Sequence, residues 1–237
     1  MDHVIISGIG RRSTNQDQWM PKHNQPQSSI YLVCDGVGGG KHGDIASKIT
    51  SDSITNHLAL SSDYSQENIL EAIIVAENAL DLFKLKNDSA KHMSTTLSLL
   101  AFYSPYHAIA SWVGDSRIYQ IRNGEILYKS TDHSLGHFFL QMGIITENQL
   151  ENFPQKNIIT KVITGCDSSA TPDFHSFNNI QKDDYFLISS DGFHEVISKE
   201  HFKLFTPSNT PKMIKIVLEG HCLKNSKDNY TCHIVKI

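Results

Sequence analysis

The sequence predicts an α+β fold in which antiparallel sheets stack in layers with helices outside. Two observations carry this. Helical periodicities come in pairs, and β-rich runs follow one another instead of alternating with helices as a doubly wound parallel sheet requires. A third is the Asn123-Gly124 dipeptide between two such runs, a strong two-residue hairpin signal.

Taken in order, Val4–Ile9 reads as a strand and Ile30–Cys34 as a short, wholly apolar one. Ile45–Leu60 reads as a helix. Asn68–Lys86 reads as another, because Ile69, Ile73, Ala76, Leu80 and Phe83 repeat at three- and four-residue spacing, and Ser65 suits its N-cap. Thr95–Tyr103, His107–Val113, Arg117–Arg122 and Glu125–Tyr128 then alternate with period two. Pro105-Tyr106 breaks the first pair, and Asn123-Gly124 turns the last. Short helices are expected around Ser134–Met142 and from Thr146. Phe174–Ile180 and Tyr185–Ser189 return to strand, a helix starts at Pro211 and runs to Leu223, and Tyr230–Ile237 closes the sequence as a strand.

The 237 residues carry 21 Lys and Arg against 25 Asp and Glu, a net charge of −4, with 39% apolar residues. That is ample for a core and too apolar for a disordered chain. Mild acidity without basic runs argues against nucleic acid as a partner. The absence of a long apolar run argues against a membrane span, and the N-terminal residues lack a secretory pattern. Cys34, Cys166, Cys222 and Cys232 form no C-x-x-C pair and read as buried reduced thiols of a cytoplasmic protein. His133 and His137 share an i, i+4 spacing, but no second ligand motif accompanies them, which leaves a zinc site without support.

Three aspartates stand at junctions of apolar strands with loops: Asp35 after YLVC, Asp191 after YFLISS, and Asp228 before NYTCHIV. Singly, each is equally a turn residue or a helix cap. Together, carboxylates anchored at strand ends and converging on one cleft remain ionised only beside a cation, and all-oxygen ligands favour Mg²⁺ or Mn²⁺. Such ions assist phosphate hydrolysis. The Gly-rich run after Asp35 is not a nucleotide phosphate loop, because Asp35 and His42 occupy the positions where that motif needs Gly and Ser or Thr.

Arg12-Ser-Thr-Asn15-Gln16-Asp17, Asp35-Gly36-Val37-Gly38-Gly39, Ser94-Thr95-Thr96 with Gly114-Asp115-Ser116-Arg117, Thr131-Asp132-His133-Ser134-Leu135, Ser190-Asp191-Gly192 and Asp228-Asn229-Tyr230-Thr231 occur in this order. The series resembles the metal-dependent Ser/Thr protein phosphatases of the protein phosphatase 2C (PPM) family, in their compact bacterial form. The resemblance implies a four-layer α-β-β-α sandwich: two antiparallel sheets flanked by helix pairs, as a single catalytic domain over residues 1–237 with a flap near the active site at about 134–165. It implies hydrolysis of phosphoserine and phosphothreonine by direct attack of water activated by two Mn²⁺ or Mg²⁺ ions. Asp35 would bridge the ions, the Gly36 carbonyl would complete one, and Asp191 and Asp228 would hold the other. Asp17 would orient water and Arg12 would grip the substrate phosphate. On composition alone Arg12 is a surface charge beside Arg11. In bacterial members a third ion is implied at Asp115 and Asp191, with Glu195 assisting; the rival for Asp115 is a turn carboxylate bonded to Arg117. The implied partners are phosphorylated proteins and an opposing Ser/Thr kinase, with no nucleic acid and no membrane, for a monomer in the cytoplasm.

Two departures stand out. Val37 replaces the His that animal members carry after Asp-Gly, so the leaving-group proton would come from water or, second, from His42. In the flap region 141–165, Asn152 and Lys156 replace the His and Arg of bacterial relatives. Two alternatives to an active kinase antagonist are a catalytically dead phosphoprotein-binding module and a stress- or sporulation-pathway phosphatase. The first normally lacks a metal aspartate and the second normally carries a sensor domain.

Overall fold

The computed structural model describes residues 1–22, 29–37, 42–61 and 63–237. The strands are β1 (Asp2–Gly8), β2 (Asp17–Met20), β3 (Ile30–Asp35), β4 (Leu97–Ser104), β5 (His107–Val113), β6 (Arg117–Arg122), β7 (Glu125–Lys129), β8 (Asp173–Phe177), β9 (Tyr185–Ser189) and β10 (Tyr230–Lys236). The helices are α1 (Gly43–Ser61), α2 (Gln66–Lys86), α3 (Leu135–Gln141), α4 (Glu147–Glu151), α5 (Asp191–His194), α6 (Lys199–Phe202) and α7 (Pro211–Asn225). One antiparallel sheet has the order β1-β10-β9-β6-β7, the other β2-β3-β4-β5-β8.

The period-two alternation explains why the sheets stack. In β3, Ile30, Leu32 and Cys34 pack under α1 and α2, while Tyr31 and Val33 point into the space between the sheets. In β9, Phe186 and Ile188 meet them there, and Tyr185 and Leu187 face Ile214 and Leu218 of α7 on the far side. A strand buried on both faces must be apolar throughout, which is how these runs read. The result is the α-β-β-α layering. The outer face of the first sheet carries one long helix, α7, with the four-residue α5 and α6 beside it.

Local chemistry sets the boundaries. The Ser65 hydroxyl accepts from the Asn68 amide at 3.3 Å and starts α2. Asn123 and Gly124 both take positive φ, 51° and 81°, as a type I′ hairpin between β6 and β7 demands. Three elements were not expected: β2, α5 and α6. β2 contains Asp17 and Gln18 and exists through its pairing with β3. The segment expected as a strand through Ile180 ends at Phe177. Cys34, Cys222 and Cys232 are buried free thiols, but Cys166 is exposed, against expectation.

One polar group crosses the inner layer. His3 and His233 are both fully buried, and His3 Nε2 lies 2.8 Å from His233 Nδ1. His233 Nε2 is 3.2 Å from the Leu32 carbonyl. A carbonyl only accepts, which assigns the His233 proton to Nε2 and leaves Nδ1 to accept from His3 Nε2.

Candidate active site

Asp35 ends β3 opposite Asp17 in the neighbouring strand. Its backbone is held on both sides by the Thr95-Thr96 segment. The Asp35 amide donates to Thr96 Oγ1 at 3.0 Å, and the Asp35 carbonyl accepts from the Thr95 hydroxyl and the Thr96 amide, each at 2.8 Å. Gly36 follows where the start of α1 crosses; a Cβ there would lie 2.5 Å from the Gly43 carbonyl. Only glycine permits that approach.

Asp191 opens α5 directly after β9, and Asp228 precedes β10. The two segments touch: a Cβ on Gly192 would sit 2.2 Å from the Asn229 carbonyl oxygen. Asn229 also secures the loop that carries Arg12. Its Nδ2 donates to the carbonyls of Ile9 (3.0 Å) and Thr14 (2.9 Å), and its Oδ1 accepts from the Gln16 amide (2.8 Å). Arg12 Nη2 then reaches Asp228 Oδ2 at 2.5 Å. Arg12, Asp35, Gly36, Asp191, Asp228 and Asn229 line one cavity of roughly 90 Å³, which Val37 and Ile159 also border.

The acids repel one another in a desolvated place. Burial and the charges of Asp17, Asp191 and Asp115 push the Asp35 carboxyl well above the ordinary range. Asp191 is raised chiefly by burial. Burial likewise pushes Asp17 up to about 7, although Ser190 donates to its Oδ2 at 2.8 Å; the Thr231 hydroxyl faces it without reaching bonding geometry. Asp17 Oδ1 and Asp115 Oδ1 are buried with no hydrogen-bond partner among the described residues. Orphaned carboxylate oxygens, mutual repulsion and an all-oxygen donor set fit hard divalent cations. Among the described residues no three acidic, His or Cys side chains converge on one ligand position. Each ion would therefore complete its shell with water and backbone oxygen, as Mg²⁺ habitually does.

Asp115 is buried, and burial pushes it up to about 7, with Asp191 adding to the rise. Arg117 is not its partner. Its guanidinium forks onto Asp132 at 2.7 and 2.6 Å, so the turn-carboxylate reading of Asp115 fails. The buried His194, pushed down to about 3 by burial and therefore neutral, holds the Asp115 carbonyl at 3.1 Å. Asp115, Asp191 and Glu195 border a larger cavity of about 530 Å³ that runs beneath α3 and α4 past His137 and Lys156.

The segment expected as a flap is pinned at both ends. Leu135 donates to Ile158 at 2.8 Å, and Thr95 and Ile163 exchange hydrogen bonds at 3.0 and 2.8 Å, which couples the flap to the segment that holds Asp35. Asn152 follows α4, and Lys156 Nζ donates to the Glu151 carbonyl at 2.7 Å, so both departing residues occupy turn positions. His133 and His137 do not share a ligand position. His133 Nδ1 accepts from the Gly114 amide at 3.1 Å, while His137 Nδ1 meets Ser134 Oγ at 3.1 Å.

Gly38, Gly39 and Lys41 lie outside the described residues. His42 turns with φ 81° and places its ring against Ser89 Oγ at 3.0 Å and beside Phe83. That geometry engages it with the end of α2. His42→Ala is therefore expected to change turnover of a phosphoserine peptide and of an activated aryl phosphate by the same factor. A selective loss on the peptide would restore it as the leaving-group acid. Three contributors went unread in the sequence: the clamp of Thr95-Thr96 on Asp35, the loop staple of Asn229, and His194. The first two sit in quoted motifs; His194 carries no sequence signal.

The geometry matches known proteins. The family model for protein phosphatase 2C matches residues 7–214. The protein phosphatase PhpP of Streptococcus pneumoniae is 31% identical over 219 residues, covering 89% of this chain and 86% of its own length. A putative protein phosphatase of Mycoplasma pneumoniae is 27% identical over 240 residues, covering 95% of this chain and 92% of its own length. Among solved structures, serine/threonine phosphatase Stp1 from Staphylococcus aureus superposes with a TM-score of 0.86 at 29% identity, covering 99% of this chain and 94% of that one. A match across most of the length and the meeting of distant motif aspartates at one end of the stacked sheets lead to the same place: this chain belongs to the protein phosphatase 2C family of metal-dependent Ser/Thr protein phosphatases.

Proposed function

We propose that this chain hydrolyses phosphoserine and phosphothreonine in protein substrates, opposing a Ser/Thr kinase as a monomer in the cytoplasm. The observation that carries the reading is the convergence of Asp35, Asp191 and Asp228 with Arg12 on the wall of one cavity. Asp35, the Gly36 carbonyl, Asp191 and Asp228 would hold two Mn²⁺ or Mg²⁺ ions, and Asp115 with Asp191 a third. When bound, such ions supply positive charge that acidifies water and neutralises phosphoryl oxygens.

The remaining work falls to the chain. Arg12, half-exposed at the cavity, offers a planar fork that suits two phosphate oxygens and draws the phosphate in from solvent. Asp17, buried and bonded to Ser190, orients a water in the cavity. Thr95 and Thr96 fix the Asp35 backbone, so its carboxylate does not reorganise as charge develops. Val37 cannot donate a proton and His42 is engaged elsewhere, which leaves water as the donor to the departing serine or threonine oxygen. The flap at 134–165 selects the peptide from within one catalytic domain over residues 1–237. No helix among the described residues is long and apolar enough to cross a membrane.

The test is phosphate release from a phosphothreonine peptide. Turnover is expected with Mn²⁺ or Mg²⁺, to vanish with a chelator, and to return on adding the metal back. Turnover that persists in the chelator would remove the ions from the reaction.

A further inference from the structure

α7 carries two apolar stripes. The inner one, Pro211, Ile214, Leu218 and Cys222, is buried against the first sheet. The outer one is not: Met213, Ile216, Val217 and Leu223 are 53%, 73%, 50% and 75% exposed. A surface helix normally turns charged residues outward, so a second apolar stripe demands a cause. Gly220 lies on the same outer face with open space above it.

Lysines outnumber acids around this stripe. Lys212 and Lys215 flank its first turn, and Lys224 and Lys227 its last. The one acid within α7, Glu219, lies 3.5 Å from Lys215. Lys212, Lys224 and Lys227 make no ion pair among the described residues. This cationic rim sits on a chain whose net charge is −4.

We infer that the outer face of α7 docks on an anionic lipid bilayer. The helix lies in the plane of the surface, its four apolar side chains enter the acyl boundary, and its lysines meet anionic headgroups. A second copy of the chain does not fit. Two apposed α7 faces, parallel or antiparallel, bring lysines against lysines at both ends. Such docking departs from the expectation of no membrane partner. Three residues beyond the end of α7 stands Asp228, reached through Ser226, whose hydroxyl donates to the Gly192 and Asp228 carbonyls at 2.9 Å. Docking thus sets the cavity beside the bilayer, where it meets phosphorylated segments of membrane-attached proteins. That consequence rests on the phosphatase reading, but the docking does not.

The experiment is co-sedimentation of the whole chain with vesicles of phosphatidylcholine, with and without about 30 mol% phosphatidylserine. The chain is expected to sediment with the anionic vesicles at about 0.1 M salt and to release at about 0.5 M. K212Q/K215Q/K224Q should weaken partition about fivefold per lysine, and I216S/L223S should weaken it by about tenfold or more. Both variants should keep the circular dichroism spectrum and the turnover of a soluble phosphopeptide. Wild type that stays in solution beside anionic vesicles overturns the inference, even if it binds an acidic protein instead. So does an I216S/L223S variant that sediments as well as wild type.

Discussion

Replacing Asp35 with asparagine is expected to lower metal-supported turnover by at least about 10³-fold while making the metal-free protein more stable. The two effects share one cause. Asp35 is desolvated and faces the charges of Asp17, Asp191 and Asp115. Asparagine fills the same volume and carries no charge, so it relieves repulsion in the empty cradle and forfeits the ligand. One kcal/mol of relief corresponds to a rise in Tm of about 2–4 °C for a chain of this size. Asp191→Asn should behave alike on turnover, since Asp191 shares the smaller cavity with Asp35 and borders the larger one as well. Thermal unfolding without metal and phosphate release with it are the two measurements. An Asp35→Asn protein that is less stable and still active would assign this carboxylate a structural role instead.

The second large effect is on acid stability. Burial and the neighbouring His3 hold His233 well below the usual histidine range, and the Leu32 carbonyl only partly offsets them. The unfolded chain binds that proton near pH 6.5, and the native chain does not. Stability from this site is therefore complete above about pH 6.5 and is lost as pH falls below it, by up to about 1.4 kcal/mol per pH unit. The raised pKa values of Asp17 and Asp115 act with the opposite sign in the metal-free protein, since there the native state binds protons more tightly. A difference measurement cancels them. Relative to a His3→Phe/His233→Leu variant, wild type should lose stability steadily as pH is lowered from 7 to about 4.5 in urea unfolding. A difference that stays flat with pH would mean that the pair is charged or solvated in the native state.

Much of the fold was legible because it depends on local pattern. β3, β4 and β9 are apolar on both faces, and that continuity reads directly as strands buried between two layers. β2 was not legible: Asp17 and Gln18 are polar, and only the hydrogen bonds to β3 make the segment a strand. α5 and α6 have four residues each, too few to show a helical period.

The site divides along the same line. By itself the sequence determined that Asp35, Asp191 and Asp228 stand where strands end, and that Arg12 and Asp17 precede them in a fixed order. Spacing and periodicity are properties of neighbouring residues, and they survive without the fold. Only the tertiary structure decided that Asp35 and Asp191 line one cavity, that Arg117 is taken by Asp132 and leaves Asp115 unpaired, and that His42 faces Ser89. Those outcomes depend on how two sheets stack and on which groups lose their water. Coulomb interactions and desolvation act through space, between residues that the chain itself keeps far apart.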